Sequence, residues 1–397
     1  MTTQVIRCGT LFDGTGAAPI PRAVVVVEDG RITAVGRAAT TDVPAGAEVA
    51  DLGDRFVMPG LVDAHSHISI VPGMGDQIGQ LRQGPVPQAL RATANLRRDL
   101  LAGTTTMRVM AEESFLDIEV REAIEAGVIV GPRLLCATRG ITASNGHGRA
   151  FSSFDGVDEV RRGVRENFQR GADHVKIFAT GGVSSPGTTL KASVYTREEI
   201  RAAVEEAERV GAYAAAHAHG GPGLRLSVEE GVSTIEHGGL ATDEDIALMI
   251  ERRVWLICTF SIFLHPTGIE QGDGRRREIL DKLVAARRVV NESFPRHLAS
   301  GIRFACGTDS MHGLMPFELE TLVRFGVSNR DALLAGTRWG AEACRVAGEV
   351  GTLAPGKWAD LIAVDGNPLA EIEAMRRVTL VMKGGTTYEP VPGREAS

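Results

Sequence analysis

FVMPGLVDAHSH, residues 56–67, is an apolar run that closes on two histidines one residue apart. As a β-strand it has a side-chain period of two, so His65 and His67 point to the same side. Two neutral imidazoles on one face form a bidentate site for a borderline divalent metal. An isolated pair of this kind carries little weight. It carries much more at the C-terminal end of the first strand of a (β/α)8 barrel, because active sites of such barrels sit at that rim.

Seven further apolar runs follow: TTTMRVM (104–110), RLLCAT (133–138), DHVKIFAT (173–180), AYAAAHAH (212–219), STIEHG (233–238), VWLICTF (254–260) and IRFACGTDS (302–310). They alternate with helical stretches at an average repeat of about 36 residues, which suits the βα units of a barrel over residues 56–345. The helix between the fourth and fifth runs can be read closely. Thr196 and Glu199 make a capping box, Ile200, Ala203, Val204, Ala207 and Val210 form one apolar stripe, and Gly211 ends it. The chain ends differ in character. Residues 1–55 and 346–397 hold short β-rich runs with turn signals, Asp29-Gly30 being a hairpin signal between two of them. Neither piece has enough apolar residues for its own core. The fold class expected is therefore α/β: a (β/α)8 TIM barrel with a small β-sandwich domain built from both chain termini.

Composition narrows the function. The chain has 397 residues, 43% of them apolar, 23% charged, and a formal charge of −7. No basic run suggests nucleic acid or an anionic membrane surface as a partner. Cys8, Cys136, Cys258, Cys306 and Cys344 are scattered, odd in number and without a CxxC pair, which points to a reducing compartment. The N-terminal MTTQVIRCGTLFDG has no signal-peptide pattern, and no 18-residue apolar span occurs. The expected location is cytoplasmic.

The remaining expected strand ends carry chemistry. Lys176 lies mid-run in DHVKIFAT, where a lysine flanked by apolar residues is costly unless paired. It is either a snorkelling or salt-bridged lysine, or a desolvated amine that captures carbon dioxide and becomes a carbamate. His174 shares its face one pleat repeat, about 7 Å, deeper and reads as a core histidine. His217 and His219 close the fifth run on one face, and spacing alone leaves open which one binds metal. His237 closes the sixth run and Asp309 the eighth. A carboxylate at that rim can hold a metal and accept a proton from water.

In order and spacing, VMPGLVDAHSH, VKIFATGG, AHAHG, STIEHG, GTDS and the tail GTLAPGKWADLIAVDGNPL resemble the amidohydrolase superfamily, over nearly the whole chain. The nearest branch resembles the imidazolonepropionase-related hydrolases that include Xaa-Pro dipeptidases and N-acyl amino-acid hydrolases. The resemblance implies two divalent metal ions, zinc being the first expectation. His65, His67 and Asp309 would hold the more buried ion, His217 and His237 the more exposed one, and an N6-carboxylated Lys176 would bridge them. It also implies substrate contacts from His147, in the Asn145–Gly148 turn, and from His219, where dipeptidase members carry an aromatic residue. His147 reads equally as an exposed loop residue.

The function implied is cleavage of an amide bond in a dipeptide or N-acyl amino acid by a metal-bridging hydroxide, with Asp309 as general base and acid. Loops 69–90, 181–194 and 260–275 would select the small-molecule substrate, and Arg108, Arg139, Arg149, Lys191 and His312 could bind its carboxylate. A homo-oligomer is expected by family habit. Lactones, carbamates and organophosphates suit the same chemistry. Deaminases of the superfamily use one metal and an acidic residue soon after the fifth-strand histidine; here Ala-His-Gly-Gly-Pro-Gly follows His217. A metal-free scaffold protein would have lost ligands, and all six are present.

Overall fold

A computed structural model describes residues 3–390. Strands β1 (Thr3–Leu11), β2 (Ile20–Glu28), β3 (Arg31–Arg37), β4 (Glu48–Asp51) and β5 (Phe56–Pro59) open the chain. The Asp29-Gly30 signal is realised as the β2–β3 turn. Both residues have positive φ, 48° and 80°, as a two-residue turn of this twist requires.

Eight short strands follow: β6 (Leu61–Ser66), β7 (Thr104–Val109), β8 (Arg133–Cys136), β9 (Val175–Phe178), β10 (Ala214–Ala218), β11 (Thr234–His237), β12 (Trp255–Cys258) and β13 (Phe304–Cys306). All eight expected runs therefore contain a strand, each separated from the next by helix. β6–β7–β8 form one parallel sheet and β9 to β13 another, every strand beside its chain neighbour. Main-chain bonds join the two sheets at both seams. Ile141 N donates to Lys176 O (2.8 Å) and Phe178 N to Ile141 O (2.9 Å) on one side; Asp309 N donates to His65 O (2.8 Å) on the other.

The chain closes with β14 (Leu361–Val364), β15 (Val378–Lys383) and β16 (Thr386–Tyr388). Both chain ends do share one sheet, ordered β16-β15-β14-β5-β1-β2-β3, with β4 paired to β1. The strands are bonded continuously: β1 pairs with β4 along Gln4–Arg7 and with β5 at Thr10–Leu11, so its edge changes partner midway. Ile6, Val25 and Ile32 of β1–β3 share one apolar core with Val57, Leu361, Ala363 and Met382 of β5, β14 and β15. Ile6, Cys8, Leu11, Val25, Val27 and Ile32 pack on one side; Val5, Val24 and Val26 pack on the other. Residues 391–397 of the expected terminal segment lie outside the described residues.

The run 56–67 also divides differently from the sequence reading. Phe56–Pro59 pairs with β1 and β14, and only from Leu61 does the chain pair with β7. Gly60 makes the change possible: a Cβ there would lie 2.2 Å from Thr105 Oγ1. The helix Arg197–Arg209 has the expected capping box, with Ile200, Ala203, Val204 and Ala207 buried. Val210 departs from the expected stripe; it is the C-cap residue and exposed. All five cysteines are buried and free. Among the described residues, no helix is long and apolar enough to cross a membrane.

Candidate active site

The C-terminal ends of β6, β9, β10, β11 and the turn after β13 converge. His65, the fifth residue of β6, is fully buried. Its Nδ1 lies 2.7 Å from Glu236 Oε2 and its Nε2 3.4 Å from Asp309 Oδ1. His67, on the same face, donates from Nδ1 to Ala111 O (2.8 Å) and turns Nε2 toward Asp309 Oδ1 at 3.6 Å. His237 sits across from them, its ring centroid 4.7 Å from that of His65, and its Nδ1 bonds Thr259 Oγ1 at 2.7 Å. His65, His237 and Asp309 each offer a ligand atom, all within 4.8 Å of one another.

Two of these residues are aimed by backbone conformation. His237 has φ 72° and Asp309 φ 48°, both in the left-handed region that non-glycine residues seldom adopt. In a regular strand Glu236 and His237 would face opposite ways. The turn at His237 lets Glu236 reach His65 while His237 still reaches the centre.

His217 sets its ring at an angle to those of His237 (4.7 Å), His219 (4.8 Å) and His147 (4.5 Å). Lys176 projects from β9 into the same space, fully buried, and its Nζ has no hydrogen-bond partner. The eight side chains singled out in sequence, His65, His67, His147, Lys176, His217, His219, His237 and Asp309, thus surround one pocket. His147 is not simply a solvent-facing loop residue: Nδ1 bonds Ser185 Oγ at 2.7 Å and the ring stands edge-on to Phe178. His174 is a core residue, stacked on Tyr213 below the pocket.

Burial leaves five of the imidazoles, His67, His147, His217, His219 and His237, neutral at neutral pH. Burial brings His67 and His219 down to about 4 and His147 to about 3; it holds His217 and His237 well below the usual histidine value. Neutral imidazole is the form with a lone pair for a cation. Burial also lowers Lys176 to about 8, against the pull of Glu236 and Asp309. Burial works to raise the pKa of Asp309, but His65, His67 and Lys176 outweigh it and keep the group far below the ordinary carboxylate range.

Sequence reasoning missed the supports beneath these groups. Glu236 accepts from Arg108 Nη2 at 2.9 Å, while Arg108 Nε donates to Ala64 O at 2.7 Å. Burial opposes the charge on Glu236, but Arg108 and His65 bring it down to about 2. Asp63 accepts from Thr308 N, Thr308 Oγ1 and His65 N, tying β6 to the turn that carries Asp309. A Cβ at Gly307 would lie 2.3 Å from His65 N, so glycine is needed for that closeness. The signal for Glu236 was its adjacency to His237, and strict alternation hid it.

The proposed carboxylate-binding cations lie elsewhere. Arg108 is spent on Glu236, and Arg139 pairs with Glu166 at 2.7 Å. Arg149 and Lys191 are exposed and do not line the pocket. His312 is buried between Asp99 Oδ2 (2.8 Å) and Ile70 O (2.9 Å). Two acceptors at the two ring nitrogens suit only the protonated ring. Burial works against that charge, but Asp99 prevails and the pKa is raised. A raised native pKa stabilises fully below the unfolded value of about 6.5 and is lost as pH climbs through the native value. The melting-temperature loss from His312→Gln is therefore expected to be larger at pH 6 than at pH 9. An equal loss at both, by calorimetry, would mean a neutral ring.

The family profile described as Amidohydrolase family matches residues 56–388. That span takes in every strand end just described. The chain belongs to the amidohydrolase family. It is 30% identical to an ochratoxinase of Aspergillus niger over 97% of this chain and 86% of that protein. Among solved structures, a Xaa-Pro dipeptidase with methionine bound in its active site superposes with TM-score 0.88 at 27% identity, covering 98% of this chain and 100% of that one. A prolidase complexed with N-methylphosphonate-L-proline gives TM-score 0.89 at 28% identity, with the same coverage. This amidohydrolase is accordingly an enzyme, a hydrolase acting on carbon–nitrogen bonds.

In this amidohydrolase Glu236 orients the ring of His65 through Nδ1, so that Nε2 is turned toward Asp309. Glu236→Gln is expected to weaken divalent-metal affinity by about 10–100-fold. Competition with a chromophoric chelator measures it, and unaltered affinity would reduce Glu236 to a partner of Arg108 alone.

Proposed function

We propose that this amidohydrolase cleaves an amide bond of a small dipeptide or N-acyl amino acid with two divalent cations, zinc foremost. The reading rests on one observation: six imidazoles, the Asp309 carboxylate and a buried lysine amine without a hydrogen-bond partner surround one pocket. The residues fit the ions. His65 Nε2 and Lys176 Nζ are buried without hydrogen-bond partners, and such groups are costly unless something meets them. His65, His67 and Asp309 would hold one ion and His217 and His237 the other. Lys176, after its amine had added to carbon dioxide to form the N–C bond of a carbamate with release of one proton, would supply a further anionic ligand. Zinc suits imidazole and carboxylate ligands, as do iron, manganese and cobalt.

When bound, such ions polarise a carbonyl and lower the pKa of water toward neutrality. The chain's own residues do the rest. Asp309, unprotonated and partly open to the pocket, accepts the proton of the attacking water and returns it to the leaving nitrogen. His147 and His219, neutral and on the pocket wall, contact the substrate's oxygens. In this reading β6 to β13 are one closed (β/α)8 barrel within residues 56–345, and residues 1–55 with 346–397 form the second domain.

The test is turnover of a panel of dipeptides and N-acyl amino acids by zinc-loaded enzyme, with and without chelator. Chelator-sensitive release of free amino acids is expected. Release that survives complete removal of metal would overturn the reading.

A further inference from the structure

The pocket has two unlike halves. Its floor is imidazole, Lys176 and Asp309. Its roof is built by three short helices from two loops: Gln77–Leu81 from one, Phe260–Leu264 and Ile269–Gly272 from the other. They present Ile78, Leu81, Ile262, Phe263 and Ile269 to the pocket. Phe263 stands edge-on to His219 and His237, ring centroids 5.8 and 6.4 Å apart, so its ring borders the floor directly.

The roof is held in place by its own bonds. Asp76 N donates to Asp273 Oδ1 (3.1 Å), and Arg276 Nη1 reaches Asp76 Oδ1 (3.2 Å). The lining includes one cationic side chain, Lys176, and one carboxylate, Asp309. Both belong to the floor, so the roof offers no countercharge to a substrate. Its polar contribution is Gln77, whose Nε2 is buried without a partner. Gln80, by contrast, spends its amide on Val71 O and Gly75 O. A free, buried amide donor beside an apolar wall is suited to an oxygen acceptor on an otherwise apolar ligand.

Resting on the proposed hydrolase, we propose that its substrates carry a bulky, apolar, uncharged side group against Phe263 and Leu81, and an oxygen that accepts from Gln77. A charged side group would enter the roof unpaired, which binding sites reject strongly.

The experiment compares N-acetyl-phenylalanine, N-acetyl-leucine, N-acetyl-lysine and N-acetyl-glutamate, which differ in the side group alone. The expected kcat/KM for the first two exceeds that for the last two by about 100-fold or more. Gln77→Leu is expected to raise KM for N-acetyl-phenylalanine by about 10-fold with a smaller change in kcat, and Phe263→Ala to narrow the preference for phenylalanine over leucine. Equal kcat/KM across the four compounds would overturn the proposal, as would an unchanged KM in Gln77→Leu. Thermal shift with the same compounds reads binding without turnover. Selective stabilisation by the apolar pair with no cleavage would uphold this specificity and sink the N-acyl amino-acid reading; equal stabilisation by all four would sink the specificity.

Discussion

Asp309→Asn is expected to lower kcat by about 10²–10⁴-fold, the range supplied by a positioned general acid–base group. The fold should survive. The main-chain bond from Asp309 N to His65 O does not depend on the side chain, and Asp63, Thr308 and Gly307 still brace the turn. Asparagine matches the shape of the carboxylate but cannot take a proton. It also removes the negative charge facing His65 and His67 at 3.4 and 3.6 Å, so metal content must be measured on the same preparation. Loss of turnover with metal retained would place the proton work on Asp309. Turnover near that of the parent would assign the base elsewhere, and a neighbouring imidazole would be next in line.

Lys176→Met is expected to have two opposite effects. Metal content should fall by at least one ion per chain and activity by more than about 10²-fold, since residues that merely support metal ligands already cost about 10–100-fold. Metal-free protein should become more stable. A buried polar group without a partner costs about 1–3 kcal/mol, and methionine fills a similar volume with no such group. Elemental analysis and calorimetry of the two proteins, each with and without metal, separate the effects. A variant that keeps both ions and full activity would remove Lys176 from the centre. A metal-free variant that melts lower would mean the amine has a stabilising role in the bare fold.

What could be read from the chain follows from what a period of two can carry. His65 and His217 lie near the ends of their strands and His67 and His219 directly follow those ends, so alternation alone put each pair on one face. Asp309 was legible as a carboxylate after an apolar run. Glu236 was not, because the positive φ at His237 breaks the alternation just where both residues matter. Arg108, Arg139 and His312 looked available because a sequence shows a charge but not its partner; Glu236, Glu166 and Asp99 are far away in the chain. The apolar run 56–67 hid a change of sheet at Gly60, since both sheets bury the strand and nothing in its hydropathy marks the crossing. The roof was visible only as two loops, whose composition does not tell which residues turn inward.

The shared terminal sheet has a consequence for how the protein is made. β5 leaves the ribosome early, paired on one edge with β1, and its other edge waits for β14. That partner emerges only after all of β6 to β13 has been synthesised. Throughout translation the nascent chain carries a bare strand edge rich in buried residues, Phe56 to Pro59, of the kind that recruits stray chains. Strands β6 to β13 can find their neighbours in order, but this sheet is finished only once β14 has emerged. Ribosome stalling or loss of β14 to β16 should therefore yield aggregates rather than a truncated enzyme.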